Sequence, residues 1–220
     1  LQHAQAQALS RGGRLEGLIL DLRSNPGGQV LVAEEVINLF MGEGPVFRSV
    51  GRDGHMESLH ADESHSELEG LPLVILVDEN SASASELVAG ILKRNDKAII
   101  LGERTYGKGS VQGLVPAFSK DCLVRVTIAW YQLPDEDRSL SEWRFVDRET
   151  SPEDWGVEPN VRISTSIDQT KEILDARSTW YSGIGDDVVP TRDAAEEMVD
   201  PATELALGLL RSKINAITPR

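Results

Sequence analysis

Two short apolar runs, each closed by a turn rich in small residues and followed by apolar residues at helical spacing, set the fold class of this chain. The first is Leu15-Glu-Gly-Leu-Ile-Leu-Asp-Leu22 and the second Leu71-Pro-Leu-Val-Ile-Leu-Val77. Runs this short and this rich in branched side chains predict strands buried on both faces, as in a parallel sheet. Ser24-Asn-Pro-Gly-Gly28 breaks the first run, and Val30, Leu31, Val32, Val36, Ile37, Leu39 and Phe40 then follow at mostly helical spacing. Asp78-Glu-Asn-Ser-Ala82 breaks the second, and from Ser83 a helix is expected with Leu87, Val88, Ile91 and Leu92 on one face. Repeated strand–turn–helix units predict an α/β layered fold with its chemistry at the carboxyl ends of the strands.

A third short strand, Ala98-Ile-Ile-Leu101, runs into the glycine-rich Gly102-Glu-Arg-Thr-Tyr-Gly-Lys-Gly109. The character then changes. Leu123 to Tyr131 reads as a longer strand, and residues 134–160 are polar, with Pro134, Pro152 and Pro159. Residues 1–11 have helical composition, and Pro201 to Ile217 reads as a terminal helix opened by Asp200-Pro201, a cap followed by proline in the first turn. This divides the chain into a core over residues 1–165 and a carboxyl-terminal helical extension over 166–220. There is no tandem repeat and no low-complexity tract.

Charge excludes some partners. The 36 acidic and 22 basic residues leave a net −14, which disfavours nucleic acid and anionic membrane surfaces. No apolar run approaches the roughly 18 residues of a membrane span. Cys122 is the single cysteine, so no internal disulfide forms, and its strand-like surroundings suggest small core filler. The chain starts at Leu1 without an initiator methionine or a signal sequence and reads as a fragment or a processed form.

Three segments carry possible chemistry. Asn80-Ser-Ala-Ser-Ala-Ser-Glu86 sits at a strand-to-helix junction, where small side chains let one hydroxyl stand clear beside the unpaired N–H groups of a helix's first turn. The same serines are equally good helix caps. Gly107-Lys-Gly109 leaves Lys108 unshielded; if buried, its ammonium loses hydration and the neutral amine becomes a general base. Moving a lysine from about 10.4 to about 7–8 requires on the order of 4 kcal/mol, within the reach of burial. Gly102 to Lys108 also fits a phosphate-loop spacing, but Gly109 stands where that motif needs a hydroxyl, and a strand pattern rather than a helix follows. Asn25-Pro-Gly-Gly28, at a strand end, offers a backbone N–H to a cleft or is a plain tight turn. Among the histidines, His3 lies in a terminal segment, and His55, His60 and His65 lie in an acidic, loop-like stretch whose spacing of five fits neither a zinc site nor one helix face. Lys108 is therefore the better base candidate.

Taken in order, Gly17-Leu-Ile-Leu-Asp-Leu-Arg-Ser-Asn-Pro-Gly-Gly28, Ser81-Ala-Ser-Ala-Ser-Glu86 and Gly102-Glu-Arg-Thr-Tyr-Gly-Lys-Gly-Ser-Val-Gln112 resemble the core motifs of the carboxyl-terminal processing (tail-specific) serine proteases. Trp155-Gly-Val-Glu-Pro-Asn-Val161 resembles a later element of that family. The match is close over residues 15–131 and looser beyond. The resemblance implies a Clp protease/crotonase-like α/β core, Ser83 as nucleophile, Lys108 as base and Gln112 as the residue that orients the lysine. It implies oxyanion donors at the backbone amides of Ala84 and of the Asn25–Gly28 turn, with Gly28 the expected member. No cofactor and no metal are implied, and the substrates would be proteins cut near their carboxyl termini, in an extracytoplasmic (periplasmic) setting. On a straight strand, Lys108 and Gln112 would lie about 13 Å apart, so the glycine-flanked stretch has to curl before the strand begins. No segment reads as the PDZ domain that usually accompanies this core, residues 134–160 are longer and more polar than the family core, and Lys93-Arg94-Asn-Asp is more basic than its counterpart. Two rival readings use the same scaffold: a non-catalytic ligand-binding module, and an enzyme acting on acyl-CoA.

Overall fold

A computed structural model describes residues 12–61, 66–117, 119–134, 143–165, 169–173, 175 and 200–217. The helix expected over 1–11, with His3, and the residue His65 lie outside the described residues. Four strands form a parallel sheet in the order β1 (Leu18–Asp21), β4 (Leu73–Val77), β5 (Ala98–Gly102) and β9 (Val161–Arg162). A second sheet is antiparallel, in the order β3 (Met56–His60), β2 (Pro45–Gly51), β7 (Ser119–Pro134) and β6 (Ser110–Ala117), with β8 (Trp143–Phe145) also paired to β7. Helix α1 (Val30–Phe40) follows β1, α2 (Ala84–Arg94) follows β4, and α3 (Pro201–Ile217) closes the described chain. The fold is thus a mixed α/β arrangement of two sheets with helices packed against them.

Strand β4 shows why its sequence is apolar throughout. Leu73, Ile75 and Val77 point into a core shared with Ile37 and Phe40 of α1, Leu87, Ile91 and Leu92 of α2, and Phe47, Tyr131 and Leu133 of the antiparallel sheet. Val74 and Leu76 point the other way, against Ala202, Ala206 and Leu210 of α3. A strand covered on both faces cannot alternate with polar residues. Helix α2 is buried from Ala84 to Leu92, and Gly90 is what lets it lie against β7: a Cβ there would collide with Leu133. Lys93 and Arg94 occupy its last turn, where cations complement the exposed carbonyls.

Two expectations are corrected. The stretch carrying His55 and His60 is a β-hairpin, with His55 in the turn and His60 closing β3. The polar, exposed face of β3 explains why no apolar alternation announced it. Cys122 is exposed rather than core filler, because Cys122 to Arg125 lie in a part of the β6–β7 hairpin left open to solvent.

The carboxyl-terminal helix is tied to the first strand by buried charge. Arg23, just beyond β1, donates to both oxygens of Asp200, at 2.6 and 3.2 Å, and also to Asp21. Asp200 is 2% exposed and caps α3 through the Ala202 N–H and the Thr203 hydroxyl. Burial alone would raise the Asp200 carboxyl, but hydrogen bonds from Arg23 and Thr203, with the charge of Arg23, hold it below its ordinary range.

Candidate active site

The turns that follow β1 and β4 meet at one end of the parallel sheet, and Asp78 binds them together. Its carboxylate accepts the N–H and the hydroxyl of Ser24 at 2.8 and 2.9 Å and the N–H of Asn80 at 3.0 Å. Ser81 donates its hydroxyl to the Leu22 carbonyl at 2.8 Å, and the Ala82 N–H reaches the Asn25 carbonyl at 3.0 Å. Ser24 is held at φ 57°, a left-handed conformation that a non-glycine residue adopts at a cost. Gly27, at φ 92°, lies so close to the second turn that a Cβ would stand 2.6 Å from the Ala82 carbonyl oxygen and 2.8 Å from the Ala84 nitrogen.

Ser83 occupies the N-cap of α2 with φ 56° and ψ −118°. This sparsely populated backbone marks a sharp strand-to-helix turn and is maintained only because its surroundings over-determine it. Among the described residues, the next N–H, that of Ala84, has no acceptor, and neither does the N–H of Gly28. The Gly27 N–H is occupied by the Asn25 side chain at 2.9 Å, so Gly28 rather than Gly27 keeps a donor available in that turn. An apolar groove of about 360 Å³ opens beside these groups, with Gly28, Val32 and Val36 on one side and Ala84 and Val88 on the other.

Lys108 is half-buried on the loop between β5 and β6. Gly107 has φ 83° and packs against the Trp155 ring, where a Cβ would overlap it. Gly109 approaches the backbone of Asp147 in the same way, with a Cβ placed 2.5 Å from its nitrogen. The lysine loop is therefore pressed against residues 146–157, and strand β6 starts only at Ser110. Gln112 lies on β6 beside a bulge between Val111 and Gln112 and is exposed.

Glu86 is the residue that joins the serine turn to the lysine loop, and its role was not read from the sequence. It is 0% exposed and accepts four hydrogen bonds: Thr105 Oγ1 and the Gly107 N–H, each at 2.6 Å, and the N–H groups of Ser83 and Lys108, each at 2.8 Å. Thr105 in turn accepts the Val157 N–H at 2.7 Å. Burial pushes the Glu86 carboxyl above its ordinary range, against the opposing pull of these hydrogen bonds. A glutamate three residues after a cap serine is a capping-box pattern, so half of this role was readable; the bonds to residues 105–108 were not. No group of acidic, histidine or cysteine residues that would hold a metal ion occurs among the described residues.

A serine in a strained strand-to-helix turn, two free backbone donors and a lysine tied to the same buried carboxylate make an arrangement suited to acyl transfer. Residues 2–163 match the profile of Peptidase family S41, and the chain belongs to that family. It is 39% identical over 132 residues to a carboxyl-terminal-processing protease of Synechocystis, covering 60% of this chain and 30% of that protein. It is 37% identical over 164 residues to a chloroplastic carboxyl-terminal-processing peptidase of Arabidopsis thaliana, covering 73% and 29%. A solved photosystem II D1 C-terminal processing protease superposes with a TM-score of 0.58 at 30% identity, over 74% of this chain and 38% of that one. The chain thus spans about a third of the length of these relatives.

Proposed function

We propose that this chain carries the catalytic core of a carboxyl-terminal processing serine endopeptidase working through a Ser83–Lys108 dyad on a Clp protease/crotonase-like scaffold. The observation that carries the proposal is the Ser83 turn. Its strained backbone leaves the Ala84 N–H, like that of Gly28 in the facing turn, without an acceptor among the described residues, and Glu86 fixes the same turn to the backbone of Lys108. In this reading the Ser83 hydroxyl attacks the peptide carbonyl while the neutral Lys108 amine takes its proton. The oxyanion that forms is held by the two backbone amides, which need no reorganisation as charge develops. Lys108 then gives the proton to the departing amine, and water, activated by the same amine, releases the acyl group from Ser83. Gln112 enters as an orienting partner for Lys108, supported by the family resemblance rather than by a contact in this structure. The groove beside Ala84 would accept an apolar side chain next to the bond cut.

Relatives named as carboxyl-terminal-processing proteases, from a bacterium and from a chloroplast, support protein substrates, while an extracytoplasmic setting rests on the family resemblance alone. No helix among the described residues is long and apolar enough to cross a membrane. The test is cleavage of an unfolded protein by the purified chain, together with mass-spectrometric mapping of the serine modified by a fluorophosphonate. Ser83→Ala and Lys108→Ala are each expected to abolish cleavage with the circular dichroism spectrum unchanged. Turnover retained in either variant refutes the dyad.

A further inference from the structure

In a chain of net charge −14, one arginine beside the lysine loop has no acidic partner among the described residues. Arg148 is exposed and bonded to that loop through its backbone, its N–H reaching the Gly107 carbonyl at 2.9 Å. Its guanidinium lies 5.1 Å from the ring centre of Tyr106 and 5.3 Å from that of Trp155. No carboxylate pairs with it among the described residues, whereas neighbouring Arg104 pairs with Glu158 and Arg144 with Asp154. Tyr106 is 49% exposed, and its N–H reaches the Ser81 carbonyl at 3.0 Å, two residues before Ser83. The free guanidinium therefore stands at the rim of the groups assigned above to catalysis.

An arginine resting against two aromatic rings has fewer conformations to lose on binding, and ring contacts leave its N–H edges available. Those edges match a carboxylate through two parallel hydrogen bonds. We infer that Arg148, steadied by Tyr106 and Trp155, captures a carboxylate of the bound polypeptide and so determines specificity, an assignment that rests on the protease reading for the identity of the ligand. The carboxylate is that of an acidic side chain or of the substrate's own chain end. Arg148 takes no part in the chemical step.

The test measures binding rather than cleavage. Three octapeptides of alanine and leucine, each with a neutral fluorophore at the amino end, are titrated with the full chain carrying Ser83→Ala. One ends in a free carboxylate, one in a carboxamide, and one in a carboxamide with a single internal glutamate. Relative to the fully neutral peptide, a carboxylate peptide should bind about fivefold more tightly, and which of the two does so identifies the source. Arg148→Gln should bring that ratio close to one, and Arg148→Lys should restore part of it, since lysine keeps the charge but not the planar fork. Equal binding of all three peptides, or a ratio unmoved by Arg148→Gln, overturns the inference. If the ratio behaves as expected while the unmutated chain cleaves nothing, the carboxylate site stands and the protease reading falls.

Discussion

Replacing Glu86 by glutamine changes one buried atom from acceptor to donor while keeping the shape of the side chain. The carboxylate receives Thr105 and Gly107 on one oxygen and Ser83 and Lys108 on the other. In Glu86→Gln the least costly orientation places the amide NH₂ toward Thr105, whose hydroxyl oxygen can accept it. The Gly107 N–H is then left facing a donor, and the other two bonds lose their charge assistance. An orphaned buried N–H costs about 1–3 kcal/mol, and each weakened bond about 0.5–1 kcal/mol. Relief from burying a charge offsets part of this, since burial already works against the ionised form. The expected net loss is about 2–3 kcal/mol, measured as a lower urea midpoint with an unchanged slope. Because the released Gly107 N–H and the weakened Ser83 and Lys108 bonds all lie between the two halves of the site, turnover should fall more than the folded fraction does when both are measured at one denaturant-free condition. Glu86→Ala strands all four donors and should fail to fold stably, since the loss approaches the whole margin of a typical domain. A Glu86→Gln variant with unaltered midpoint and unaltered turnover would refute the claim that this carboxylate joins the two halves of the site.

Three further outcomes follow. Gly27→Ala forces a Cβ to within 2.6 Å of the Ala82 carbonyl at a φ of 92°, and should cost about 1–3 kcal/mol in thermal or urea unfolding while abolishing cleavage by pushing the Gly28 amide away from Ala84. The depressed Asp200 carboxyl contributes stability that is fully present above the free-chain value of about 3.9 and is lost as pH falls through the lower folded value. In Asp200→Asn that acid-limb loss should shrink, as a titration of stability between pH 2 and 6 would report. Arg23→Met leaves Asp200 buried without its cation and should destabilise by about 3–5 kcal/mol, seen as a lower urea midpoint, more than the double replacement Arg23→Met with Asp200→Leu.

The parallel sheet and the first two helices were legible because β1, β4 and β5 are short branched runs with abrupt ends, and α2 carries its own cap and apolar face. Strands β2 and β3 escaped notice because residues 45–60 mix charge, glycine and histidine, and an exposed hairpin imposes no alternation. Cys122 misled because the apolar pattern of β7 continues into a hairpin that leaves the layered core. Lys108 stood out through its flanking glycines and the serines at 81, 83 and 85 through their small neighbours, but only the family resemblance picked Ser83 from among them. Asp78, Thr105 and Val157 did not stand out, since each acts through a partner more than 45 positions away and no local period encodes such a contact.

The loop bearing Lys108 is held from two sides, by Glu86 beneath it and by Trp155, Gly156 and Val157 on the far side of the polar stretch that begins at residue 134. A chain cut short before Trp155 would still possess the hydroxyl, the amine and the Glu86 carboxylate that links their backbones, yet the outer wall of the lysine loop would be gone. The smallest working unit consequently extends as far as a tryptophan and a valine that do no chemistry.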